Sequence, residues 1–225
     1  MSMLDRPIWE ALSGRHSAFS TGTAWARAYA AEIGPLAALG EDTAEGLADL
    51  AALVNERGRL LMFNESAVPV PPGCRAEWRA DVLQMIATHI VPQESDHPVV
   101  ALRNEDAAEM LALAELTKPG PFSTQTHRLG RFWGIRIEGR LVAMAGQRMR
   151  LPGHGEVSAI CTHPDARGRG LAKQLCAQAA AQIISEGERA FLHVLLDNES
   201  AIRVYETIGF VPRRSFIGSM LVPDV

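Results

Sequence analysis

Thr162-His163-Pro164-Asp165-Ala166-Arg167-Gly168-Arg169-Gly170-Leu171-Ala172 lies between an apolar, strand-like run (Val157 to Cys161) and an amphipathic, helix-like run (Leu171 to Ile184). A glycine-rich turn that leads from a strand into a helix suits phosphate binding. Gly168 and Gly170 have no Cβ, so their backbone can approach a ligand closely. The first-turn amides of the helix lack an intrahelical partner, and the helix dipole favours an anion beside them. Arg167 and Arg169 add fixed positive charge matched to phosphate oxygens. Solvated surface charge is the alternative role for either arginine. The stretch points to a bound pyrophosphate.

Three turn patterns bind such a group. Gly-x-x-x-x-Gly-Lys-Ser/Thr is absent from the chain. The dinucleotide pattern Gly-x-Gly-x-x-Gly fails at Lys173, where a small residue must let the helix pack on the strand. It would also leave too little chain after it for a doubly wound sheet. The third pattern, Arg/Gln-x-x-Gly-x-Gly/Ala, is met by Arg167, Gly170 and Ala172. Alone it is weak, since average composition produces it at roughly one position in a thousand. Independent support comes downstream, where Phe191 to Leu196 reads as a buried strand. Asn198, Ala201, Tyr205, Gly209 and Phe210 then follow in the spacing Asn-x-x-Ala-x-x-x-Tyr-x-x-x-Gly-Phe.

Together, in this order, the two patterns resemble the cofactor loop and the following helix of the GCN5-related N-acetyltransferases (GNAT). The resemblance covers about residues 100 to 225. Cys161-Thr162-His163-Pro164 is similar to the FR47-like, glycine-N-acyltransferase-like branch. It implies an α/β chain with the GNAT fold, a mixed central sheet flanked by helices. It also implies acetyl-CoA as cofactor and transfer of its acetyl group to an amine without an acyl-enzyme. A non-catalytic acyl-CoA-binding regulator is the competing reading. By the same resemblance, Arg167, Gly168, Arg169, Gly170, Leu171 and Ala172 cradle the pyrophosphate. Ile160, Cys161 and Thr162 pair with pantetheine as with an added strand, and a backbone N–H there polarises the thioester carbonyl. Asn198 both caps its helix and contacts the cofactor. Tyr205 contacts the cofactor and protonates the departing thiolate, against the alternative of simple aromatic packing.

The base is read from Glu156, eleven residues before Arg167, a spacing used by part of the family. Strict strand alternation puts Glu156, Ser158, Ile160 and Thr162 on one face and Val157, Ala159 and Cys161 on the other. The Glu156 face is expected to look into the groove, with partial burial raising the carboxyl pKa. An edge-strand ion pair is the alternative. His154 has a suitable natural pKa, but Gly153 and Gly155 flank it. A water chain is a third possibility. His163 is expected to brace the loop and His193 to be a core histidine. Cys161 and Cys176 read as buried small residues.

Composition sets outer bounds. The 225 residues allow one large or two small domains, and a net charge of −4 leaves no basic stripe for nucleic acid. That charge is compatible with a cationic or amine substrate, and the branch resemblance implies a small amine or amino acid as acceptor. No apolar run is long enough to span a membrane, and Met1 to Trp9 lacks a signal core. Three cysteines without metal spacing suit a reducing cytoplasm, and no metal site is expected. A monomer or homodimer is expected.

Along the chain, residues 1–95 are expected to form an N-terminal α/β region that walls the acceptor side. Descent of this region from a degenerate second GNAT copy is left open. It holds a helix over Leu47 to Val54, a strand over Arg59 to Phe63 and another over Trp78 to Ile86. Pro92 to Pro98 marks the boundary, and residues 96–225 form the acetyltransferase domain. There the pattern predicts a strand over Val99 to Leu102 and a helix from Asn104 or Glu105 to Leu116. A hairpin turning at Glu138-Gly139 follows, then the strand Glu156 to Thr162, the loop and a helix ended by Gly187. A last strand runs from Phe216 to Val222.

Overall fold

The structure is a computed structural model that describes residues 2–67, 69–93 and 97–224. In chain order its helices are α1 (Pro7–Ser13), α2 (Ala44–Arg57), α3 (Ala107–Thr117), α4 (Leu171–Ser185) and α5 (Glu199–Ile208). Its strands are β1 (Ser20–Gly22), β2 (Ala26–Tyr29), β3 (Ala37–Leu39), β4 (Leu60–Asn64), β5 (Cys74–Ala87), β6 (Val99–Leu102), β7 (Phe132–Ile137), β8 (Arg140–Leu151), β9 (His154–Thr162), β10 (Arg189–Leu195) and β11 (Val211–Pro223).

An eight-stranded sheet in the order β4-β11-β5-β10-β9-β8-β7-β6 is the frame, and a small sheet β1-β2-β3 lies in the N-terminal part. Every neighbouring pair of the large sheet is antiparallel except β9 and β10, which run parallel. The β7–β8 hairpin turns where expected, with Glu138 at φ 51° and Gly139 at φ 80°, the left-handed pair that a two-residue hairpin turn requires.

Residues on both sides of the expected boundary share this sheet. β5 is inserted between β10 and β11, pairing with β10 from Val82 to Ala87 and with β11 over most of its length. Of the boundary segment, residues 94–96 lie outside the described residues. The last strand begins at Val211, five residues before Phe216, because a register shift between Pro212 and Arg214 breaks its alternation.

Helices cover both faces. Leu171, Leu175, Ala179 and Ile183 recur every four residues on α4 and pack on Val157, Leu192, Met85, Ala143 and Ala145. Burying each large side chain there stabilises the fold by about 1.5–3 kcal/mol. Gly155 permits the close approach, since a Cβ on it would sit 3.0 Å from Ile183. On the opposite face α3 lays Met110, Leu113 and Ala114 over Leu102, Phe132 and Met144. Beside it, α1 sets Ile8, Ala11 and Leu12 against Met149, Leu151 and Phe191.

Candidate active site

The Thr162-to-Ala172 stretch forms the expected turn. It begins when the His163 N–H donates to Val142 O (2.7 Å), tying the end of β9 to β8. The buried His163 ring accepts from the Asp165 N–H (3.2 Å) and lies against the Arg140 guanidinium, so it braces the turn as expected. Gly168 (φ 77°) and Gly170 (φ 73°) both occupy left-handed backbone, and nothing lies within 4 Å of where a Cβ would stand. The helical ladder of α4 starts with Gln174 N–H to Gly170 O (3.0 Å). The amides of Leu171, Ala172 and Lys173 are therefore left without an intrahelical acceptor. Arg167 and Arg169 are exposed and make no ion pair among the described residues.

Immediately before the turn, β9 leaves β10. The two strands pair only at Arg189–His154, Ala190–Gly155 and Phe191–Glu156. Beyond that vertex β10 stays with β5 to Leu195 and β9 stays with β8 to Thr162. Among the described residues, the edge of β9 that faces β10 carries no ladder pair from Val157 onward. Thr162 Oγ1 is buried there without a partner among the described residues. An open glycine cradle, unpaired helix-start amides, a free strand edge and an orphaned hydroxyl all lie at one end of one strand. These features fit a long ligand that carries a pyrophosphate at one end and amide groups along its length.

Strict alternation along β9 does not hold. Between the pairs Met144–Cys161 and Gly146–Ser158, β8 advances two residues and β9 three. Ala159, at φ 54°, is the bulged residue. The bulge turns Ile160 onto the α4 face with Val157, whereas Ala159 and Cys161 pack under α3. Ile160 and Thr162 therefore do not share a face with Glu156 as expected.

Glu156 corrects a second expectation. It does sit on the face opposite α4, but it is fully buried and does not line an open groove. Arg148 Nε and Nη2 donate to its two oxygens at 2.7 Å each, the Met149 N–H donates at 3.3 Å, and His193 Nδ1 lies 2.7 Å away. Burial alone would push its pKa up. The Arg148 charge and the hydrogen bonds from Arg148 and His193 outweigh burial and hold the carboxylate down at about 2. The shift runs opposite to the one expected. His154, the alternative base, stands at the other end of β9 from the turn, bonded to Pro152 O. Nine residues of strand, about 3.3 Å each, separate it from the cradle.

Asn198 is the N-cap of α5, its Oδ1 accepting from the Ala201 N–H (3.2 Å) and Ser200 Oγ (3.0 Å). Gly209, at φ 117°, ends the same helix, and Phe210 is core. Tyr205 packs beside the α4 cluster, its ring 6.3 Å from that of Phe210. Burial raises its phenol pKa, so the group stays protonated. All three cysteines are free and buried, and burial pushes Cys161 up to about 11. Arg148, Gln84 and the N-terminal Asp5 are buried polar residues that the sequence reading did not single out. For Arg148 the available signal was its place, next to Gln147, inside the otherwise apolar run from Leu141 to Met149; Gln84 and Asp5 carried none. A cleft of about 470 Å³ on the N-terminal side is lined by Trp9, Phe63, Glu41, Asp42 and Glu65, among others.

Comparison with known proteins agrees with this geometry. The family model of FR47-like proteins matches residues 132–216. No match was found among the curated proteins. A solved structure from Novosphingobium aromaticivorans, assigned to the acetyltransferases of the GNAT family, is 40% identical over 100% of both chains, with a TM-score of 0.93. A GCN5-related N-acetyltransferase from Kribbella flavida shares the fold at 18% identity and TM-score 0.71, over 100% of this chain and 97% of its own. A GCN5-related N-acetyltransferase-like protein from Streptococcus suis does so at 12% and 0.62, over 96% of this chain and 92% of its own. The turn after β9, the parting of β9 from β10 and this full-length likeness place the chain in the GCN5-related N-acetyltransferase family.

Proposed function

We propose that the chain moves an acetyl group from acetyl-CoA to the amine of a small acceptor, by direct attack within a ternary complex. The observation that carries this reading is the placement of a glycine-cradled anion turn and a free strand edge at the same end of β9. Arg167, Arg169 and the amides from Gly168 to Ala172 hold the pyrophosphate, and Asn198 fixes the start of α5 beside it. The Ile160 to Thr162 edge takes pantetheine as an added strand. Bound acetyl-CoA supplies a thioester carbon open to attack by an amine. A β9 amide near the Ala159 bulge donates to the carbonyl oxygen as charge develops on it.

Tyr205 keeps its proton through burial and delivers it from Oη to the departing sulfur. Direct attack is favoured because no thiol is poised as a nucleophile: Cys74, Cys161 and Cys176 are all buried with raised pKa values. Glu156 is committed to Arg148 and His193, so the acceptor ammonium loses its proton to water in the groove. Glu41, Asp42 and Glu65 beside Trp9 and Phe63 support a cationic amine as acceptor. The test is release of free CoA thiol with a panel of amines and amino acids. Turnover on at least one amine supports the reading, whereas CoA binding without turnover on any points to a non-catalytic acyl-CoA-binding protein.

A further inference from the structure

A continuous chain of buried polar bonds crosses the sheet beneath the point where β9 and β10 part. Phe191–Glu156 is the last ladder pair. His193, two residues further along β10, reaches back to Glu156 (2.7 Å) and so bridges the start of the opening. On the β8 side Arg148 holds Glu156 through two bonds. On the β5 side Gln84 Nε2 lies 3.1 Å from His193 Nε2 and 3.0 Å from Leu4 O. Arg213 of β11 donates to Gln84 Oε1 (2.8 Å) and pairs with Asp5. Five neighbouring strands and the N-terminal segment are thereby joined at one level of the sheet.

The donors and acceptors leave a single consistent assignment. Arg213 only donates, so the Gln84 oxygen faces it and the Gln84 NH2 faces His193 and Leu4. One N–H goes to the Leu4 carbonyl and the other to His193 Nε2, which must present a lone pair. The His193 proton therefore lies on Nδ1 and is donated to Glu156. The ring is packed between Phe63 (5.0 Å), Phe191 (5.7 Å) and Phe216 (5.8 Å). With its side chain only 2% exposed, it does not reach a substrate.

We propose that Arg148, Glu156, His193 and Gln84 form a clamp that sets the width of the β9/β10 opening, with His193 as its neutral Nδ1–H bridge. These are positioning residues, and Glu156 acts by holding His193 and takes no proton from the acceptor. The proposal rests on the reading of that opening as the cofactor channel. An opening fixed by the bond at its vertex presents the β9 edge at one spacing, so its loss weakens cofactor binding before it alters the chemistry.

Calorimetric titration with CoA tests this without turnover. His193→Phe, which keeps the aromatic packing and removes the bridge, is expected to bind CoA roughly tenfold more weakly, the effect of one lost charge-assisted hydrogen bond. His193→Asn restores a donor toward Glu156 and is expected to bind within about threefold of wild type. Wild-type affinity in His193→Phe overturns the clamp. Failure of the wild-type protein to bind CoA overturns the cofactor reading itself. A nitrogen–proton correlation spectrum of the wild-type histidines decides the bridge even if His193→Phe does not fold. A proton on Nδ1 of His193 with bare Nε2 supports the clamp, and a proton on Nε2 overturns it.

Discussion

Arg148 and Glu156 form a two-pronged ion pair, Nε to Oε2 and Nη2 to Oε1 at 2.7 Å each, between adjacent strands and out of reach of water. Each ion was stripped of its hydration to reach this position, and the pairing, with the bonds from His193 and the Met149 N–H to the carboxylate, compensates for that loss. Arg148→Met leaves the carboxylate buried with His193 and one backbone N–H. The expected loss is about 3–5 kcal/mol, read as a lower urea midpoint. Arg148→Met with Glu156→Gln removes both charges, and the pair of changes is expected to be less destabilising than Arg148→Met alone.

The same carboxylate shapes acid stability together with a buried histidine. Glu156 titrates near 2 when folded, against an ordinary 4.5. Its contribution is complete above about 4.5 and disappears as pH falls toward 2. His16 is buried against the Tyr29 hydroxyl (2.8 Å), and burial first, then the nearby Arg150, pulls it from 6.5 down to about 4. The unfolded chain protonates His16 first, so stability starts to fall below about 6.5 and this part of the loss ends near 4. Each window is worth on the order of 3 kcal/mol. Urea midpoints against pH should show two successive declines. His16→Gln is expected to flatten the first, whereas Glu156→Gln is expected to flatten the second and deepen the first, because the Glu156 charge favours protonated His16.

Glu156 and Ala159 mark where sequence reading stops. The turn was legible because its backbone conformation is set by Gly168 and Gly170 within a few residues of each other. The hairpin at Glu138-Gly139 and the cap at Asn198 are local in the same way. The Glu156 environment is assembled from Arg148 on the next strand, His193 on the far side of α4 and Gln84 from the N-terminal half, so no spacing rule connects them. The bulge was hidden because Ala159, not a glycine, takes the left-handed backbone, and one inserted residue flips every side chain after it. Insertion of β5 between β10 and β11 is likewise a long-range pairing without a local signal.

Gly170 separates backbone conformation from charge at the turn. With φ at 73° and empty space beyond the missing Cβ, Gly170→Ala meets no clash and suffers only the left-handed penalty, about 1–2 kcal/mol. If the turn cradles the pyrophosphate as proposed, the added methyl group stands in the path of the phosphates. A modest fall in Tm with a marked rise in the acetyl-CoA KM is the expected outcome. Arg167→Ala is expected to raise that KM about tenfold with Tm unchanged, because this exposed side chain has no ion-pair partner to lose among the described residues. Equal KM values for wild type and Arg167→Ala would remove Arg167 from the cradle.

Tyr205 tests the chemistry most directly. Its ring is held by the α4 cluster and Phe210, and its hydroxyl makes no hydrogen bond to another group among the described residues. Tyr205→Phe therefore keeps the packing, removes one proton donor and leaves no buried group unsatisfied. Stability should change by less than about 1 kcal/mol. If Oη protonates the leaving sulfur, kcat should fall on the order of a hundredfold while CoA affinity holds. The loss should also shrink for acyl thioesters whose thiols are more acidic, since a better leaving group needs its proton less. A Tyr205→Phe enzyme with full kcat, or one whose loss is the same for every leaving group, would show that Tyr205 serves packing alone.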